Sequence, residues 1–138
     1  MTILNSNNKL FFELIRVAVN TLVCLSKLPS ESEWRELYSM VKMQSMLGVC
    51  FAGIRRCKVQ HQSPPKILYM QWMGIAVKIQ QRNEMLNTRC MELQSRLMAD
   101  GFKNCILKCQ GIAQLYREEL NALRQLGDID VLWTDSLT

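Results

Sequence analysis

The sequence predicts an α+β chain: mostly helical to about residue 100, then a strand, a helix and a strand. Three observations predict it. Apolar residues recur at spacings of three and four through most of the first hundred positions, the period of one helix face. Asp100-Gly101 ends that pattern, and a glycine there suits a left-handed helix cap. Beyond it, short apolar runs at 105–107 and 129–133 replace the helical period with one that strands adopt.

Taken in order, Leu10, Leu14, Val17 and Ala18 form one apolar stripe in a segment that Pro29 stops. Ser30 with Glu33 three positions later is a capping-box pattern, opening a helix through Trp34, Leu37, Tyr38 and Val41. Gly48 reads as a turn before a shorter helix over residues 49–57. His61-Gln62-Ser63-Pro64-Pro65 is the clearest loop, with Pro65 suited to the first turn of the next helix. From Lys66 to Ala99 there is no proline, and Trp72, Ile75, Ile79, Leu86, Cys90, Leu93 and Leu97 keep helical spacing. A single helix there would run about 51 Å, so a kink is expected at Gly74 or at the polar gap of Arg82 and Asn83. Cys105-Ile106-Leu107 reads as a strand, Gly111 to about Leu123 as a short helix with Ile112, Leu115 and Tyr116 inward, and residues 127–133 as a second strand.

Composition bounds the function. With 138 residues, 49% apolar and 21% charged, the chain is one ordinary domain's worth and is neither disordered, collagen-like nor a coiled coil. A net charge of +5 gives a weak pull toward anionic partners. Yet from Phe102 onward acidic residues outnumber basic ones, five to four. The six cysteines contain no CxxC pair and the one histidine is His61, which argues for reduced, mostly buried thiols and against zinc. No signal-peptide pattern opens the chain, and the most apolar stretch, Leu10 to Leu28, carries Glu13, Arg16, Asn20 and Lys27. A cytoplasmic setting with no membrane span is therefore expected. Nine methionines read as adaptable core filling. Arg55-Arg56-x-Lys58 reads as a solvated helix end, and Arg82, Arg89 and Arg96 as a solvated stripe, with nucleic acid only weakly supported.

The chemistry concentrates in Asp128 and Asp130. Residues i and i+2 of a strand share a face about 6.6 Å apart. Two carboxylates there repel each other, and a hard divalent cation relieves the repulsion. Such a pair can hold metal on a triphosphate and activate a hydroxyl. Ile129, Val131 and Trp133 would then face the other way and anchor the strand in a core. The plain alternative is two solvated aspartates on an edge strand. Gly127 before the pair and the apolar alternation through it weigh against that.

The segment from Ile106 through Leu107-Lys108-Cys109-Gln110-Gly111-Ile112-Ala113-Gln114-Leu115 to Tyr116, followed by Leu123-Arg124-Gln125-Leu126-Gly127-Asp128-Ile129-Asp130-Val131-Leu132-Trp133, resembles a bacterial family of nucleotidyltransferases with the DNA polymerase beta-like fold. The helices upstream, with Glu33-Trp34-Arg35-Glu36-Leu37, are similar to that family's helical region, so the resemblance spans nearly the whole chain. It implies residues 1–100 as a helical region and 101–138 as the start of a nucleotidyltransferase-like mixed sheet. It implies Asp128 and Asp130 as catalytic metal ligands for Mg²⁺ or Mn²⁺. Lys108 ending the first strand, Gly111 in the phosphate turn and Arg124 before the aspartates become nucleotide-binding residues. The activity implied is transfer of a nucleoside monophosphate from an NTP to an unknown acceptor.

Some positions depart from the family pattern. Cys109 stands where glycine is usual, and the stretch between Tyr116 and Arg124 lacks the expected prolines. No later strand supplies the third carboxylate that this fold class uses, so the sheet is expected to be incomplete and the chain truncated. The competing reading is a non-catalytic helical binding or assembly module, dimeric through an exposed apolar edge. A metal-dependent glycosyltransferase is a third, weaker reading, because DxD also holds nucleotide-sugar metals.

Overall fold

The structure, a computed structural model, describes residues 6–107, 117–125 and 129–135. Their elements run α1 (Ser6–Ala18), α2 (Glu31–Met43), α3 (Leu47–Val59), α4 (Lys66–Ala99), β1 (Phe102–Leu107), α5 (Glu118–Leu123) and β2 (Asp130–Asp135). Helices dominate, and two antiparallel strands flank the last of them in sequence, so the α+β class holds.

The predicted apolar stripes meet in one core. Leu10, Leu14 and Val17 of α1, Trp34, Leu37 and Val41 of α2, Cys50, Ile54 and Cys57 of α3, and Trp72 and Ala76 of α4 are all buried there. Each large apolar side chain so buried contributes roughly 1.5–3 kcal/mol. The Trp72 indole N–H reaches the Leu47 carbonyl at 2.7 Å, and Tyr38 meets the Trp72 ring edge-on at 5.3 Å. Gly53 lets α3 close on α1: a β-carbon there would stand 2.8 Å from the Leu14 carbonyl oxygen.

The first helix is shorter than expected. It ends at Ala18, long before Pro29, because Asn20 turns left-handed at φ 64° and the Thr21 N–H folds back to the Arg16 carbonyl at 2.8 Å. The segment after it is held by two side chains. Glu13, 8% exposed, accepts from the Ser26 N–H and hydroxyl, both at 3.1 Å. The Gln62 amide accepts from the Leu25 N–H at 2.8 Å and donates to its carbonyl at 2.9 Å.

The capping box at α2 is formed: the Glu33 N–H donates to the Ser30 hydroxyl and the Ser30 N–H to the Glu33 carboxylate. Lys27, bonded to Glu33 at 2.8 Å, and the Ser30 N–H hold that carboxyl below its ordinary value. Gly48 is not a turn. The turn lies at Gln44–Met46, with Ser45 at φ 55°, and Gly48 sits in the first turn of α3.

The 34 residues of α4 form one helix through both expected kink sites, closed by Gly101 at φ 87° as predicted. Nothing lies within 4 Å of a β-carbon at Gly74. Trp72, Leu86 and Cys90 are buried, whereas Arg82, Arg89 and Arg96 face solvent, as their spacing implied. The methionines divide: Met40, Met46 and Met73 pack against the core as expected, whereas Met43, Met70, Met85, Met91 and Met98 are exposed. Met91 and Met98 line a cleft between the end of α4 and β1, with Phe102 and Asn104 on its other side.

Among the cysteines, Cys50, Cys57 and Cys90 are buried, Cys24 half-buried and Cys105 exposed, all as free thiols. Burial pushes Cys50 up to about 12 and Cys57 to about 11. Cys109 lies outside the described residues. Among those described, no helix is long and apolar enough to cross a membrane.

Candidate active site

Both strands form, each shifted from its expected bounds. β1 begins at Phe102 rather than Cys105, and β2 runs Asp130–Asp135 rather than 127–133. Their antiparallel register pairs Ile106 with Val131 and Leu107 with Asp130. Alternation then sorts the side chains. Phe102, Asn104, Ile106, Val131 and Trp133 take the face toward α4, where Ile106 is buried and the Asn104 amide donates to the Gln94 carbonyl at 3.5 Å. Asp130 shares the opposite face with Leu107 and Leu132, and both leucines are exposed. Trp133 does not anchor a core as expected. It lies near the strand end, edge-on to Phe102 at 5.1 Å and 58% exposed.

Asp130 is half-buried at the very start of β2, opposite the last residue of β1. The register therefore brings the end of β1, next to Lys108 in sequence, against the carboxylate-bearing segment. Lys108, Gly111 and Asp128 lie outside the described residues, as do Ile112, Leu115 and Tyr116 of the expected helix. Among the described residues no three metal-ligating side chains gather in one place. The chemistry of the pair still suits a hard cation, because carboxylate oxygens are hard donors, and Asp130 shares its sheet face with the exposed Leu107 and Leu132.

Ahead of this segment in sequence stands α5, a helix of six residues. So short a helix does not hold itself together in water; it is held by α3 and α4. Leu123 is buried in the core, with Leu120 packed against it. A β-carbon at Gly48 would overlap the Leu123 carbonyl oxygen, so only glycine lets α3 approach the end of α5 this closely. Glu119 takes the Arg55 guanidinium at 2.9 Å and that of Arg56 at 3.6 Å. The polar gap in α4 completes the clamp. Asn83, 3% exposed, donates from one amide nitrogen to the carbonyls of Ala122 at 2.8 Å and Arg124 at 2.7 Å. These are last-turn carbonyls that α5 leaves without helical partners.

The basic cluster is thus not simply a solvated helix end. Arg55 also lies over the Phe51 ring at 5.4 Å, Arg56 donates to the Asn20 side chain at 2.7 Å, and Lys58 covers the Tyr69 ring at 4.5 Å. Arg124, directly after α5, is half-buried in extended backbone. Asn83, Gly48 and Glu119 are the positioning residues that sequence reasoning missed.

A model of a family described as uncharacterised nucleotidyltransferases matches residues 30–136. The chain belongs to that family. The match opens on the α2 cap residue Ser30 and runs past β2, taking in the α5 clamp and the Asp128–Asp130 segment. α1 lies outside the nucleotidyltransferase match but inside the core, against α3. No curated protein and no solved structure matches the chain.

Proposed function

We propose that the chain transfers a nucleoside monophosphate from an NTP to an acceptor hydroxyl. The single observation that carries this reading is the nucleotidyltransferase-family match across residues 30–136, which spans the paired aspartates. The Leu107–Asp130 register supports it, because the end of the first strand and the start of the carboxylate strand are neighbours.

Asp128 and Asp130 hold Mg²⁺ or Mn²⁺. A divalent cation bound there draws charge from the triphosphate and makes an attacking hydroxyl more acidic. Lys108 and Arg124 supply fixed positive charge to phosphate oxygens, and Gly111 lets backbone amides come close to them. The acceptor oxygen bonds to the α-phosphorus, the bond to the β-phosphate oxygen breaks, pyrophosphate leaves, and the hydroxyl proton passes to solvent. Acceptors to be compared are sugar, small-molecule, nucleic-acid and protein hydroxyls.

The test is transfer of label from an α-phosphate-labelled NTP. The expected result is label on one acceptor class with equimolar pyrophosphate, dependent on Mg²⁺ or Mn²⁺ and abolished in Asp128→Asn. Absence of both transfer and pyrophosphate release overturns the reading.

A second reading is a non-catalytic assembly module that pairs with a copy of itself. The exposed Leu107, Leu132 and Trp133 on the two-stranded sheet favour it. Light scattering separates the two: a dimer that Leu132→Asp dissociates, with no nucleotide binding, supports assembly, and a monomer argues against it.

A further inference from the structure

We infer that the cleft between α3, α4 and α5 binds an aromatic ring carrying a phosphate monoester, at a site built without the aspartates.

The cleft has a volume of about 530 Å³, within the range that holds a small-molecule ligand. Its apolar wall comes from all three helices: Phe51 of α3, Tyr69, Met73 and Val77 of α4, and Leu123 of α5. The Phe51 and Tyr69 rings stand 5.5 Å apart, tilted by 52°. Such a wall suits a flat ring, because aromatic side chains pair with other rings and methionine adapts its shape to what it meets. Arg55, Gln80 and Glu119 supply the polar lining.

Charge selects what the ring carries. Arg55 lies over the Phe51 ring at 5.4 Å, and Lys58 over the Tyr69 ring at 4.5 Å. Arg56 reaches the same place through Glu119, which takes Arg55 at 2.9 Å and Arg56 at 3.6 Å. Three cations thus surround one carboxylate, which leaves two positive charges in excess. A phosphate monoester carries about −1.5 to −2 at pH 7, matching that excess, and the guanidinium fork fits phosphate oxygens. One arginine on Glu119 would suffice to dock α5. That role does not account for Lys58, which makes no ion pair among the described residues, or for the ring-lined space beside the pair. Glu119 is then a resident competitor for Arg55. Exposed pairs of this kind are weak, so a phosphate can displace it.

The test titrates AMP, with EDTA present, into protein whose methionine methyls carry ¹³C. It follows the Met73 resonance, assigned with Met73→Leu, against the exposed Met43 of α2, which lies outside the cleft. Expected is a saturable shift at Met73 with Met43 unmoved, and weaker binding of adenosine or inorganic phosphate alone. Affinity for AMP should fall at least roughly tenfold in Arg55→Met, the loss of one charge-assisted hydrogen bond. It should rise roughly two- to fivefold in Glu119→Gln, which frees Arg55, and stay unchanged in Asp128→Asn. Val77→Trp fills the cleft without changing its charge and should abolish the shift. No shift at Met73 overturns the inference. So does an affinity for inorganic phosphate equal to that for AMP, which would leave the ring no part. Weaker binding in Glu119→Gln overturns it by making that carboxylate a support rather than a competitor. Loss in Asp128→Asn overturns it by placing AMP at the aspartates, and none of these results decides the transfer reading.

Discussion

Gly48 faces the backbone carbonyl of Leu123 so closely that a β-carbon would overlap the oxygen. This one approach joins α3, deep in the helical core, to the short helix that leads into the carboxylate segment. Gly48→Ala should therefore act locally. The Cβ meets backbone, which cannot swing aside as a side chain would, so α5 must shift. A loss of about 1–3 kcal/mol is expected, read as a lower urea midpoint. Exchange should quicken first in residues 118–124, whereas the α1–α2 core keeps its protection. Unchanged stability would show that α5 is not docked in this way.

Trp72→Phe tests the centre of the core. The ring volume is largely kept, but the indole N–H that reaches the Leu47 carbonyl at 2.7 Å is lost. The expected cost is about 1–3 kcal/mol, from the lost hydrogen bond and the gap left beside Tyr38. Chemical denaturation of both proteins provides the number.

The glycine and the asparagine also show where the sequence was legible and where it was not. Helical spacing is a local property, so α2, α4, the Ser30 capping box and the Gly101 cap could be read directly. Asn83 could not, because its two partners lie 39 and 41 residues further on, and in sequence it looked like a defect in an apolar stripe. Gly48 was misread because glycine most often marks a turn, whereas here it makes room for another segment's backbone. Trp133 was expected in a core on strand alternation alone, but the face a residue takes does not decide how far the neighbouring helix covers it. Of the candidate site, the Asp128–Asp130 spacing can be named from the sequence and Arg124 from the resemblance it carries, and their roles stand as the proposal above. The register that sets Leu107 against Asp130 was not legible, since strand pairing is a tertiary property.

The buried thiols give a pH signature. Cys50 and Cys57 stay neutral up to about 12 and 11 in the folded chain because burial disfavours the thiolate, while unfolded thiols ionise near 9.0. Above that value the unfolded state releases protons that the folded state keeps. Stability is therefore fully present below pH 9.0 and falls as pH rises toward 11 and 12. The urea midpoint should drop between pH 9 and 11 in wild type and drop less steeply in Cys50→Ala. At neutral pH, iodoacetamide should label the exposed Cys105 well before Cys50 or Cys57.

The Arg55–Glu119 pair calls for a smaller number. Both side chains are substantially solvated, at 49% and 39% exposure, so Glu119→Gln should cost no more than about 1 kcal/mol and less at high salt. Its influence should be sharper on α5 exchange than on global stability. A double-mutant cycle with Arg55→Met isolates the pair.

The central claim, that Asp128 and Asp130 hold the cation on which nucleotide binding depends, is tested most directly by titrating wild type, Asp128→Asn and Asp130→Asn with fluorescent NTPs, with and without Mn²⁺. The account predicts saturable binding by wild type only when Mn²⁺ or Mg²⁺ is present, weakened at least roughly tenfold in each variant, while all three melt at similar temperatures. Metal-independent binding, or binding that survives in both variants, would contradict it.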